Sequence, residues 1–188
     1  MSQAKILVFA GSARKNALSK KLAKVTAKIA ADAGASVTFA DLADYPAAIY
    51  NGGDEEANGM PESMKKFKAL MVSSNGFIIV TPEYNGHVPP LLVNTFGWAS
   101  RSEGGEKGMV AYKDKKAAIM ASSPGKLGGI RVLPRLRDSL SELGVAVVPG
   151  VFPLPFAKEA FNDDGQLIDE KLVPRIRELV DKLVAACS

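Results

Sequence analysis

Five short apolar runs, each followed by a longer stretch with helical spacing, restrict the fold of this chain more than any other feature. The runs are Lys5–Ala10, Val37–Ala40, Gly76–Val80, Ala117–Ala121 and Val145–Val148. They are continuous rather than alternating, the pattern of strands buried on both faces of a parallel sheet. Leu18, Leu22, Val25 and Ile29 mark a first helix that ends at Gly34, with Asn16 as its expected N-cap. Met64, Phe67, Leu70 and Met71 mark a second, and Leu91, Leu92, Thr95, Phe96 and Ala99 a third. Ile130, Leu133, Leu136, Leu140 and Leu143 face one side of a fourth, closed by Gly144. Leu172, Ile176, Leu179, Val180 and Leu183 define the last, with Pro174 in its first turns, where a missing N–H costs little. Residues 45–61 read as a surface excursion and residues 149–165 as a loop. Strands alternating with helices predict an α/β fold with helices on both faces of the sheet. No repeat or linker divides the chain, so residues 1–188 are expected to form a single domain.

Composition removes several function classes. No apolar run approaches the ~20 residues of a spanning helix. The N-terminus enters a strand without a charged segment and cleavage site, so no signal peptide is expected and a cytoplasmic location is. Cys187 and His87 are the only residues of their types, which leaves no internal disulfide and no thiolate or histidine metal site. The net charge of +4 suits an anionic ligand, yet Lys20, Lys21, Lys24 and Lys28 on one helix and Arg131, Arg135 and Arg137 on another read as solvated faces. No nucleic-acid-binding pattern is present.

In open α/β sheets ligands bind beyond the carboxyl ends of the strands. Three loops there stand out. Gly11 to Ser19 offers hydroxyls at Ser12 and Ser19, a cation at Arg14 and the free N–H groups of a helix start at Ala17 and Leu18, a cradle for a phosphomonoester or another anion. It lacks the glycine spacing of a nucleoside-triphosphate loop or a dinucleotide fingerprint. Thr81 to Pro90 is stiffened by its prolines and turned by Asn85-Gly86, so that Pro82, Glu83 and Tyr84 can present backbone and an apolar wall to a planar heterocycle. Its His87 reads as an incidental loop residue. Ser122 to Gly129 carries Pro124, Gly125, Gly128 and Gly129, which allow close approach to a ligand or tight helix packing. No metal motif or hydrolase elbow occurs, so a cradle without a catalytic triad points to chemistry carried by a cofactor.

At these loops the chain resembles the NADPH-dependent FMN reductase family of flavodoxin-like proteins, its bacterial chromate and quinone reductases above all. The likeness is carried by Gly11-Ser12-Ala13-Arg14, by Thr81-Pro82-Glu83-Tyr84-Asn85-Gly86, and by Asn94 with Trp98-Ala99-Ser100-Arg101. Ser122-Ser123-Pro124-Gly125 with Gly128-Gly129, and Ala160-Phe161 before Asp164-Gly165, continue it in order over nearly the whole chain. The resemblance implies a three-layer, doubly wound five-stranded parallel sheet of order 2-1-3-4-5 holding FMN. Ser12, Arg14, the Ala17-Leu18 backbone and Ser19 would hold the phosphate. Pro82, Glu83, Tyr84, Asn85 and Gly86 would line the ring system, with Ser122, Pro124, Gly125, Gly128 and Gly129 at its other edge. NADPH or NADH would supply hydride. The acceptor would be a small molecule: a quinone, a flavin, an azo compound or an oxyanion such as chromate. A homodimer or homotetramer is implied, with the site near a subunit boundary.

The chain departs from the family's usual pattern at Ala17 and Ser19, often Ser and Asn, which bears on one phosphate hydrogen bond. It departs again at Val93 and Gly97, often Lys and Asp, which bears on oligomer contacts. Arg101 has two readings, a binding residue for anionic acceptors or a partner in a salt bridge. An alternative function is a flavodoxin-like electron carrier with no NAD(P)H oxidation of its own. The basic charge balance argues against it, since small carriers usually present acidic docking faces.

Overall fold

The computed structural model describes residues 3–188. Its strands are β1 (Lys5–Ala10), β2 (Ser36–Ala40), β3 (Gly76–Thr81), β4 (Lys116–Ser122), β5 (Ala146–Val147) and β6 (Phe152–Leu154). Its helices are α1 (Leu18–Asp32), α2 (Gly52–Asn58), α3 (Glu62–Ser73), α4 (Pro90–Ala99), α5 (Val132–Glu142) and α6 (Leu172–Cys187), with a short 3₁₀ turn at Leu42–Asp44. The sheet is parallel with order β2-β1-β3-β4-β5, as the flavodoxin-like resemblance implies.

The strands sort their side chains by parity onto two cores. Leu7, Phe9, Phe77, Ile79 and Ile119 pack with α3, α4 and α5, while Ile6, Val8, Ile78, Val80 and Met120 pack with α1 and α6. Phe9 sits edge-on to Phe67 at 5.3 Å and to Phe77 at 6.4 Å, and truncating any of these buried rings would cost about 3–5 kcal/mol.

Three expectations need correction. The fifth strand is not one run over 145–148 but two short pieces. Ala146–Val147 pairs with Lys116 and Ala117, Pro149 and the left-handed Gly150 break the ladder, and β6 rejoins the same edge at Met120–Ser122. Residues 45–61 are not all loop, because Asn51 Oδ1 accepts from Gly53 N and starts the exposed helix α2. Asn16 does not cap α1. Ala17 occupies that position in extended conformation, and no side chain caps the helix.

The strand order reverses at β1, which lies between β2 and β3. Gly11 N donates to Val80 O at 2.9 Å, so the β1 and β3 loops leave the sheet side by side. Ligand sites form at such a switch point. Among the described residues no helix is long and apolar enough to cross a membrane, and no group of three or more His, Cys, Asp or Glu side chains could hold a metal ion.

Candidate functional site

A cleft of about 280 Å³ opens at the switch point, at the small end of ligand clefts. Ser12, Arg14, Ala17, Leu18 and Ser19 line it from the first loop, and Pro82, Glu83 and Tyr84 from the second. Ser122, Ser123 and Pro124 close it from the third, and Lys158 from the turn after β6. Ten of the residues singled out from the sequence therefore meet at one place. Ser123 and Lys158 were not singled out as binding residues. Lys158 comes into reach only because β6 rejoins the sheet and returns its following turn to the carboxyl edge.

The first wall is the start of α1. With no side-chain cap, the N–H groups of Leu18, Ser19 and Lys20 keep their hydrogen-bonding capacity at the positive end of the helix, whereas Ala17 N, expected to be free, donates to Arg14 O at 3.1 Å. Ser12 Oγ accepts from Arg14 N at 3.3 Å and turns the loop. Lys20 does not lie on a solvated face as its neighbours suggest. It is 4% exposed, and its ammonium donates to Ala13 O at 3.1 Å and pairs with Asp41 at 2.7 Å, pinning the loop to the end of β2.

Two hydroxyls carry the chemical signature of the site. Ser19 Oγ and Ser122 Oγ are buried and have no hydrogen-bond partner, and they alone among the described residues combine these properties. Leaving a buried hydroxyl unpaired costs about 1–3 kcal/mol, so native chains rarely do it without cause. Both line this cleft. A larger groove of about 540 Å³ between α1 and the start of α6 contains no such atom.

The second wall is shaped by a tight hairpin. Tyr84 N donates to His87 O at 3.1 Å and His87 N to Tyr84 O at 2.9 Å, with φ of +52° at Asn85 and +75° at Gly86. That is a type I′ turn, for which Asn-Gly is the favoured pair. Asn85 and Gly86 thus set the loop's shape and do not line the cleft, and His87 is exposed. Glu83 has its side chain only 8% exposed and accepts from Arg131 Nε at 2.9 Å, Nη2 at 2.6 Å and backbone N at 3.1 Å. Its carboxylate therefore clamps the second loop to the start of α5, where a helix N-terminus favours negative charge.

The glycines of the third loop have a use within the chain. A Cβ on Gly128, whose φ is +61°, would lie 2.7 Å from Pro155 N and 2.8 Å from the Leu154 carbonyl carbon. Gly129 backs onto Ala121 and Glu83, and Gly125 O accepts from Gly128 N at 3.1 Å. Of the two roles open to these glycines, tight packing is visible here. Gly125, Gly128 and Gly129 do not line the cleft; Gly128 and Gly129 are buried, and Gly125 is exposed.

Arg101 stands apart from the cleft lining. Its Nε donates to both Glu55 oxygens at 2.9 Å, and its guanidinium lies 5.2 Å from the Tyr50 ring centre. The hydrogen bonds from Arg101, and secondarily from Tyr50, hold the Glu55 carboxyl below its ordinary value against the opposing effect of burial. At the cleft, by contrast, Arg14 and Lys158 have no carboxylate partner among the described residues, while Glu83 is neutralised by Arg131. The cleft is positive and rich in unused donors, which fits an anionic group.

Comparison with known proteins gives the family. Residues 4–159 match the family model for NADPH-dependent FMN reductase. A quinone reductase of Pseudomonas putida is 32% identical over 182 residues, covering 96% of this chain and 92% of its own. An NAD(P)H-dependent FMN reductase of Pseudomonas aeruginosa is 32% identical over 155 residues, covering 81% of this chain and 77% of its own. Among solved structures, the flavoenzyme NAD(P)H:(acceptor) oxidoreductase FerB from Paracoccus denitrificans superposes with a TM-score of 0.82 at 31% identity, covering 98% of this chain and 97% of its own.

Proposed function

The chain belongs to the NADPH-dependent FMN reductase family of NAD(P)H-dependent oxidoreductases, and from that premise we propose that it reduces quinones through FMN held in the switch-point cleft. The observation that carries the placement is the pair of unpartnered buried hydroxyls, Ser19 and Ser122, facing one cleft with two unpaired cations. These donors fit a phosphomonoester at the start of α1 and a polar heterocycle edge at the other loops.

When bound, FMN supplies the redox chemistry, accepting hydride from a nicotinamide and returning two electrons to the acceptor. The balanced reaction is NAD(P)H, a proton and a quinone giving NAD(P)⁺ and a hydroquinone. Arg14, Ser12, Ser19 and the uncapped N–H groups of α1 hold the phosphate, with Lys20 fixing the loop that carries them. Lys158 adds positive charge from the turn after β6. Pro82, Glu83 and Tyr84 form one wall and Ser122 to Pro124 the other, held together by the Glu83–Arg131 clamp. Asn85 and Gly86 set the turn of the second loop, and Gly128 and Gly129 let the third pack closely, with Gly125 O bonded to Gly128 N.

The relative from Pseudomonas putida, by its name, supports quinones as acceptors; flavins, azo compounds and chromate are wider candidates for the same site. Dependence on NAD(P)H, an intracellular reductant, supports a cytoplasmic location. An apolar surface of Ile49, Tyr50, Val88, Pro90 and Val93 beside Gly97, with Ile49 84% exposed, supports self-association through α4 as a dimer or tetramer.

The test is the visible spectrum of the FMN-reconstituted protein before and after anaerobic NADPH or NADH. Prompt bleaching, restored by a quinone, is the expected result. Bound flavin that bleaches with neither nicotinamide would overturn the reductase reading in favour of an electron carrier, and absence of flavin binding would remove the assignment of the cleft.

A further inference from the structure

Several large apolar side chains that the chain leaves exposed stand on the loops around this cleft. Tyr84 follows β3, Leu127 and Ile130 follow β4, and Phe156 follows β6. Phe156 is the extreme case, 57% exposed with a φ of +46°. Left-handed backbone is rare for bulky residues, and a turn that follows a proline usually places Gly or Asn at such a position. Of the other non-glycine residues with positive φ, Asn85 and Asp114 are types that tolerate it, and Met109, at +69°, does not line this cleft. Here two contacts to the third loop hold the strained segment. Phe156 N donates to Gly125 O at 3.3 Å, and Ala157 N to Ser123 O at 3.0 Å. An exposed ring contributes little to the core, so the strain is not offset by burial. Uncompensated strain of this kind gathers at ligand clamps.

We propose that Phe156, with Leu127 and Tyr84, forms an apolar rim that receives the ring of a lipophilic quinone, which makes Phe156 a specificity-determining residue for the acceptor. The inference rests on the function proposed above. Phe156 is not a wall of the cleft, although Ser123, Pro124 and Lys158 around it are. A second molecule arriving from solvent over the occupied cleft meets this rim, whereas the cofactor lies inside it. The rim offers ring faces and methyl groups, so it favours apolar, bicyclic acceptors and gives no advantage to small inorganic anions.

Steady-state kinetics of the FMN-loaded protein with 2-methyl-1,4-naphthoquinone and with ferricyanide test this. Phe156→Gly removes the ring and the strain together. Its ratio of kcat/KM for the naphthoquinone over that for ferricyanide should fall about tenfold, chiefly through KM, and that of Leu127→Ser about threefold. FMN should be retained on dialysis as in the wild type, and the thermal midpoint of Phe156→Gly should not fall. Ile168→Ala, which trims an equally exposed side chain before α6, should keep the wild-type ratio. An unchanged ratio in Phe156→Gly overturns the inference and leaves the reductase reading intact. Loss of FMN from that variant overturns it as well, by giving the ring to the cofactor. A wild-type protein that reduces neither acceptor overturns the reductase reading and this inference together.

Discussion

Along the strap between β2 and α3, polar side chains close on one another and on α4. Asn94 Oδ1 accepts from Tyr50 N at 2.8 Å, while Asn94 Nδ2 and Trp98 Nε1 both donate to Ala48 O at 2.9 Å. Tyr50 OH donates to Glu55 at 2.8 Å, and Arg101 completes the set. At the cleft the pattern is opposite: two buried hydroxyls and two cations have no partner in the chain. Each region has one glutamate–arginine pair, Glu55–Arg101 and Glu83–Arg131. The first ties a surface segment down; the second ties two cleft walls together. Arg14 and Arg101, alike as candidate anion ligands in the sequence, thus fall into different classes. An arginine whose hydrogen bonds are already made within the chain has little left to offer a ligand.

Arg14 is where the contrast should break most visibly. Arg14→Ala should weaken FMN about 10- to 100-fold, the ~1.5–3 kcal/mol of a hydrogen bond to a charged group, read by fluorescence titration. Apoprotein stability should not change, because the side chain is exposed and unpaired. Undiminished affinity would put Arg14 in the same class as Arg101. Ser19→Ala should have a smaller effect, about fivefold on FMN, as expected for the ~1 kcal/mol of a neutral hydrogen bond. Its apoprotein should be at least as stable as wild type, since the deleted hydroxyl bonds to nothing in the chain. Denaturant unfolding showing a clear loss of apoprotein stability would make that hydroxyl structural.

The parts legible in the sequence are those whose burial leaves a mark on residue type. β1, β3 and β4 have continuous apolar interiors because both faces are covered, whereas their order comes from the family resemblance and not from the pattern. β6 escapes because Phe152-Pro153-Leu154 is short and carries a proline, which only an edge strand tolerates. α2 escapes because Gly-Gly-Asp-Glu-Glu has no apolar period and buries nothing. At the cleft, Ser12, Arg14, Ser19 and Ser122 are readable as polar residues just past strand ends. Lys158 is not, since a single lysine in a loop has no motif and its position depends on β6. Lys20 is misread for a related reason: its burial rests on Asp41, 21 positions away. Glu55–Arg101 likewise joins residues 46 apart, a contact no local pattern encodes.

The smallest expected effect lies at Arg101, and its pH dependence separates two origins of the strap's hold. Arg101→Ala should leave FMN affinity as in the wild type and lower stability by at most ~1 kcal/mol, about 2–4 °C in thermal midpoint, since the pair is partly exposed. The folded-state Glu55 carboxyl is held below 4.5, chiefly by the hydrogen bonds from Arg101. A carboxylate depressed in this way contributes its stability above the unfolded value and loses it as pH falls through the folded one. The gap in midpoint between wild type and Arg101→Ala should therefore stay constant from about pH 8 to about pH 6 and close below 4.5. The same guanidinium also lies over the Tyr50 ring, and a cation–π contact does not titrate with Glu55. A gap that persists unchanged in acid would assign the strap's attachment to Tyr50 instead, and Tyr50→Leu should then abolish it where Glu55→Gln does not.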